Sequence, residues 1–218
     1  MASASTASSE LLPNNYTTPT TASSPLSKNN QTVSPSSTTF QFPAYTSFPP
    51  FYTLQPNTTT RTHQLQLWSA LLLSYTAHHH LFRLSLTTPP TDLFTSPTPP
   101  HRALSAPSIR TLLTHMSTPA GGSTIEFLPP ASKGEQSNAV WVWWKSASEW
   151  ADEVYGWVDE TGQKGAVLTV YELREGEGRA WAGMEEGMLR RVLGVLVKRG
   201  RAQVFGGAGE GGEGVKFF

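Results

Sequence analysis

Residues 141–158 read WVWWKSASEWADEVYGWV, and a change of period inside this stretch decides the fold. Before Lys145 the side chains alternate, with Val140, Val142 and Trp144 on one face of an extended chain and Trp141 and Trp143 on the other. After it the period lengthens, and Trp150, Val154, Trp157 and Val158 recur at helical steps, as one stripe of an amphipathic helix. Between the two, Ser146 and Glu149 stand at the S-x-x-E spacing of a capping box, which satisfies the free N–H groups of a helix start. A strand ends and a helix begins with almost no linker. The stretch therefore reads as the seam between two folded units.

Working outward toward the N-terminus, Asn57 is placed to cap a helix from about Thr58 to His80, with Leu65, Trp68, Leu72 and Tyr75 as its buried stripe. Phe82, Leu84 and Leu86 alternate as a short strand. The proline-rich stretch 87–100 allows a helical turn at Asp92–Thr95 and nothing longer. A helix over Ala106–Ser117 carries Ile109, Leu112, Leu113 and Met116 on one face, and Gly121-Gly122 is read as its stop. Strands over Thr124–Leu128 and Ala139–Trp144 follow, joined by the polar segment PPASKGEQSN.

Working outward the other way, the same order returns. Gly162 ends the helix that Ser146 starts, Val167–Val170 reads as a strand and Tyr171–Arg174 as the start of a short helix. A helix over Met184–Arg199 has Glu185 and Glu186 in its first turn, with Lys198 and Arg199 in its last before Gly200, in accord with the helix macrodipole and a glycine C-cap. Ala202–Phe205 and Val215–Phe218 pair as a hairpin with a glycine-rich, mobile tip. Helix, strand, helix, helix and a two-stranded wing describe a winged helix. The expected architecture is α+β, mostly helical with short hairpins: two tandem winged-helix domains, 58–145 and 146–218. Five tryptophans at the seam predict a packed boundary.

Two segments precede the first domain. Residues 1–39 hold 18 Ser or Thr and only two charged side chains, Glu10 and Lys28, so a disordered tail is expected there. Its Ser-Pro and Thr-Pro pairs fit proline-directed phosphorylation, or inert low-complexity chain. Residues 40–57 form an arm dense in proline and aromatic rings, with two related copies, Phe42-Pro43-Ala44-Tyr45-Thr46 and Pro49-Pro50-Phe51-Tyr52-Thr53. The second is a full PPxY; the first is a degraded one. These rings can pack on their own domain, act as a free PPxY ligand for a WW domain, or form a fixed docking arm for a partner subunit.

Composition narrows the function. Of 218 residues, 38% are hydrophobic and 15% charged, and 16 basic side chains balance 16 acidic ones. That neutrality lacks the electrostatic footprint of a nucleic-acid or anionic-membrane binder. Without cysteine there is no disulfide, thiolate zinc site or thiol nucleophile, which suits a reducing cytosol. No apolar run reaches the roughly 20 residues of a membrane span, and MASASTASSE does not read as a signal peptide. A winged helix often binds nucleic acid through its third helix. Here Arg190, Arg191, Lys198, Arg199 and Arg201 lie within residues 151–218, which hold 9 basic and 11 acidic groups, and the matching helix of the first domain offers only Arg110 and His115. A nucleic-acid-binding, transcription-related protein is the alternative reading, against few phosphates that could be neutralised. No enzyme, metal or cofactor is expected. His78, His79 and His80 are consecutive on a helix and cannot converge on one ion, and the glycines near 206–214 lack a P-loop Lys-Ser/Thr.

The stretch FPPFYTLQPN at 48–57, the helix Arg61–Tyr75, the block 141–158 and the ending GVKFF at 214–218 together resemble the small subunit of the endosomal sorting complex ESCRT-II, the vacuolar protein-sorting-associated protein 25 family. The resemblance covers roughly residues 42–218. It implies two tandem winged helices, and a PPxY arm that docks on the two larger winged-helix subunits, with two copies of this chain per complex. It also implies a second winged helix that recruits an ESCRT-III subunit in ubiquitin-dependent sorting of membrane cargo to multivesicular bodies and the vacuole or lysosome. Such a protein is non-enzymatic, cytoplasmic, and reaches the endosomal membrane only indirectly. By this resemblance the contact residues are Phe48, Pro49, Pro50, Phe51 and Tyr52. Pro43 and Tyr45, in the copy where Phe42 replaces a proline, are further contact candidates.

Overall fold

Two helix starts carry the reciprocal bonds of a capping box. Ser146 Oγ accepts from the Glu149 N–H at 3.2 Å while the Glu149 carboxylate accepts from the Ser146 N–H at 2.7 Å. The same pair of bonds joins Thr169 and Glu172. The structure, a computed structural model, describes residues 39–218 other than 131, 177 and 207–212. The expected tail, apart from Thr39, and most of the expected glycine-rich hairpin tip lie outside the described residues.

The first unit runs α1 (Thr58–His78), β1 (Arg83–Ser85), α2 (Thr91–Phe94), α3 (Ala106–Ser117), β2 (Ile125–Phe127) and β3 (Ala139–Val142). The second runs α4 (Ala147–Glu160), β4 (Val167–Thr169), α5 (Val170–Glu175), α6 (Glu186–Lys198), β5 (Ala202–Phe205) and β6 (Gly214–Phe217). Each sheet has three antiparallel strands with the last strand in the middle, in the orders β1-β3-β2 and β4-β6-β5. The repeated topology makes the chain two tandem winged helices. Among the described residues no helix is long and apolar enough to cross a membrane.

Each unit buries the stripe its sequence sets out. Leu65, Trp68, Leu72 and Tyr75 of α1 meet Ile109, Leu112, Leu113 and Met116 of α3, with Leu93 and Phe94 of α2 closing the end. In the second unit Trp150, Val154 and Val158 of α4 meet Met188, Leu189, Val192, Leu193 and Leu196 of α6. Trp157, expected in that stripe, is only half-buried; it lies beside Trp181 and under the Arg179 guanidinium. At the seam Trp144 packs 4.2 Å from Phe82 and 5.8 Å from Trp150. Phe82 thus belongs by sequence to the first unit and by packing to the core of the second.

Some ends differ from expectation for local reasons. The first helix stops at His78, because His79 is its C-cap and His80 turns left-handed at φ 50°. The third stops at Ser117: Thr118 precedes Pro119 and is forced extended, so the proline ends the helix and the glycines only redirect the chain. Gly121 is needed there, since a Cβ would lie 2.1 Å from the His115 carbonyl oxygen. The last helix begins at Glu186 with Glu185 as N-cap, and the Glu185 side chain is used elsewhere than in capping.

Candidate docking surface

The arm is a strap laid along α1, held by rings and by hydrogen bonds at every step. At its start Phe40 sits edge-on to Phe42 at 5.0 Å and to Tyr75 at 5.2 Å, beside the His78 ring at 5.4 Å. Two short 3-10 turns follow, Ala44–Ser47 and Pro49–Tyr52, the second opened by the two prolines whose fixed φ suits a turn start. Thr46 closes the first turn, donating from its N–H at 3.0 Å and its hydroxyl at 2.7 Å to the Pro43 carbonyl.

Beyond the second turn α1 binds the strap's backbone directly. The Trp68 indole N–H donates to the Phe51 carbonyl at 3.1 Å, and the Gln64 amide donates to the carbonyls of Phe51 at 2.8 Å and Thr53 at 2.9 Å. Gln64 also accepts from the Gln55 N–H at 3.0 Å, and Arg61 donates to the Gln55 carbonyl at 2.7 Å. A buried glutamine in an apolar stripe is thereby explained: its amide is fully bonded to strap backbone, once to the buried Phe51 carbonyl and twice to the part-buried groups of Thr53 and Gln55. Phe51 stacks flat on Trp68 at 4.4 Å, and Tyr52 meets the same indole edge-on at 5.5 Å.

The expected contact residues divide into two sets. Phe51 and Tyr52 are 5% and 3% exposed, part of the chain's own core. The Tyr52 hydroxyl donates to the Thr46 carbonyl at 3.1 Å, and burial raises its pKa above the ordinary value of 10.0. Truncating Tyr52 with the fold intact, the behaviour of an accessible anchor, does not fit this burial. The exposed set is Phe48, 61% exposed, with Pro50 exposed and Pro49 half-buried between them. Pro43 and Tyr45 are half-buried; the Tyr45 ring lies 5.1 Å from Phe51. The two internal rings hold a ridge, Phe48-Pro49-Pro50, against solvent.

Beside the ridge runs a groove of about 340 Å³, walled by Tyr45, Phe48, Pro50 and Phe51 of the strap and by Thr60, His63 and Leu67 of α1. The sequence reading missed this helical wall. Its signal was Leu67, an apolar residue off the buried stripe, with His63 and Thr60 above it at helical spacing. A ridge with one large exposed ring next to an apolar groove can seat a partner's side chains while inserting its own.

Other candidates are accounted for by contacts within the chain. Arg190 pairs with Glu186 and with Glu213, Arg191 with Glu126, and Arg199 with Asp152. Arg201 lies over the Tyr155 ring, 4.6 Å away, and Arg110 donates to the Ser137 carbonyl. The basic groups of α6 are thus mostly committed to carboxylates or rings. Among the described residues no group of three or more histidine or acidic side chains is arranged to hold a metal.

Comparison with known proteins identifies the family. A family model described as ESCRT-II complex subunit matches residues 45–205. The vacuolar protein-sorting-associated protein 25 of Drosophila melanogaster is 34% identical over 183 residues, covering 82% of this chain and 98% of the relative. That of Homo sapiens is 30% identical and that of Arabidopsis thaliana 32%, each over 82% of this chain and 98% and 96% of their own length. A crystal structure of the VPS25 subunit of the endosomal trafficking complex ESCRT-II superposes with TM-score 0.68 at 25% identity, over 81% of this chain and 98% of that one. The chain in the ESCRT-II complex of VPS22, VPS25 and VPS36 gives 0.67 over 80% of this chain. By sequence over four-fifths of its length, and by the tandem winged-helix fold, the chain belongs to the ESCRT-II complex subunit family, among the vacuolar protein-sorting-associated protein 25 proteins.

Proposed function

We propose that this chain is a non-enzymatic adaptor that docks on the two larger winged-helix subunits of ESCRT-II through the Phe48-Pro49-Pro50 ridge and its groove. Two copies join each complex. The second winged helix recruits an ESCRT-III subunit, in ubiquitin-dependent sorting of membrane cargo to multivesicular bodies and the vacuole or lysosome. The chain works in the cytoplasm and meets the endosomal membrane through its partners. The observation that carries the reading is Phe48. A phenylalanine 61% exposed, on a strap fixed by stacked rings and hydrogen bonds to α1, costs solvation without serving the core, as an interface anchor does. Exposed Val167, Tyr171 and Phe205 on the second winged helix support a further partner there.

The strap also argues against a free PPxY ligand. A WW domain reads the tyrosine and prolines of an extended polyproline segment, and here Tyr52 is internal and the prolines begin a 3-10 turn. Affinity purification of the full chain with mass spectrometry tests the proposal. Recovery of the two larger ESCRT-II subunits is expected; recovery of chromatin or a WW-domain ligase alone overturns it.

A further inference from the structure

The outer face of the first sheet meets the start of α6 in a charge-complementary order. In the strand register Arg83 lies opposite Trp141 and Trp141 opposite Glu126, so three strands present a cation, an indole and an anion side by side. Their neighbours Leu84, Val140 and Val142 fill the core, which leaves this row on the other face. The helix answers with Glu185, Gly187 and Arg191. The Glu185 carboxylate accepts from the Trp141 indole N–H at 2.6 Å and from Arg83 at 3.1 Å. Arg191 pairs with Glu126, and its guanidinium lies 5.2 Å from the centre of the Trp141 ring. Between the two charges the ring covers Gly187 so closely that a Cβ there would lie 2.6 Å from it. Gly187 serves this approach and not an unusual φ, as it sits in regular helix.

We propose that this row is a clamp that holds the two winged helices in one orientation, with Glu185, Gly187 and Arg191 as its positioning residues. Exposed ion pairs contribute little stability singly. Their order supplies something else: sliding or reversing the helix against the sheet brings Glu185 toward Glu126 and Arg191 toward Arg83, so one placement alone satisfies both pairs. The indole–carboxylate hydrogen bond and the glycine contact fix the centre. Only the use of the clamp rests on the adaptor reading, because an adaptor so built presents its docking ridge and its second winged helix at a set angle.

The absence of cysteine allows a clean test on the full chain. Thr114→Cys in α3 and Glu160→Cys at the end of α4, both exposed, carry spin labels for pulsed dipolar distance measurement, with circular dichroism to verify folding. The parent pair gives one narrow distance peak. Glu126→Arg broadens or splits it, Glu126→Arg with Arg191→Glu narrows it again, and Gly187→Ala broadens it independently should Glu126→Arg not fold. A broad parent distribution overturns the clamp. So does a peak unmoved by Glu126→Arg and Gly187→Ala, or a charge swap that fails to restore it. Loss of subunit binding with a narrow peak would count against the adaptor reading and leave the clamp standing.

Discussion

Replacing Tyr52 separates a strap that belongs to the core from one that merely rests on it. Its ring is 3% exposed, edge-on to Trp68 at 5.5 Å and to Phe51 at 5.7 Å, and its hydroxyl donates to the Thr46 carbonyl. Truncation to alanine removes a large buried ring and leaves a cavity beside Trp68, which for aromatic residues costs about 3–5 kcal/mol. Part of that, about 0.5–1.5 kcal/mol per ring pair, is the edge-on geometry itself. For a chain of this length each kcal/mol corresponds to ~2–4 °C, so Tm should fall by roughly 6–20 °C. Tyr52→Phe keeps the ring and removes only the hydrogen bond, for about 1 kcal/mol. Urea and thermal unfolding of the full chain, followed by circular dichroism, measure both. If Tyr52→Ala stays within about 0.5 kcal/mol of the parent, as a surface change would, the strap is peripheral and this account of it is wrong.

Phe48→Ala should leave Tm unchanged and weaken docking by ~2 kcal/mol, about 30-fold in affinity, read by titration of the larger subunits. Gln64→Ala leaves the Gln55 N–H without its partner, while the Thr53 carbonyl keeps the Gln55 side-chain amide and the Phe51 carbonyl keeps Trp68, and should cost about 1 kcal/mol by urea unfolding. Acid should weaken the caps. The carboxyls of Glu149 and Glu172 are held below their ordinary value of 4.5, first by the backbone N–H of Ser146 and Thr169 and then by their hydroxyls. A carboxyl whose folded pKa is depressed contributes stability above its unfolded value and loses it as pH falls through the folded one. Tm should therefore drop as pH is lowered below 4.5, and Glu149→Gln with Glu172→Gln should flatten that limb.

Local signals were legible where one element's residues determine it. The Ser146 box, the α3 stripe and the Gly200 stop needed only the neighbouring sequence. Thr169 and Glu172 carried the same signal as Ser146 and Glu149, and reading Val170 as strand hid it. The site was legible in composition and not in accessibility. Nothing within FPPFYTLQPN tells which rings face inward, because that is decided by Trp68 and Gln64 on the helix the strap lies against. The clamp was still less visible. Arg83, Glu126 and Trp141 are distant in sequence and become neighbours only through strand register.

The most direct test of the docking claim is binding of the purified full chain to the pair of larger ESCRT-II subunits, with stoichiometry from analytical ultracentrifugation. The account predicts two copies of the chain per complex. It also predicts that Phe48→Ala with Pro50→Ala binds far more weakly at unchanged Tm, while Tyr52→Phe binds like the parent. Equal binding by the ridge variant and the parent would contradict it.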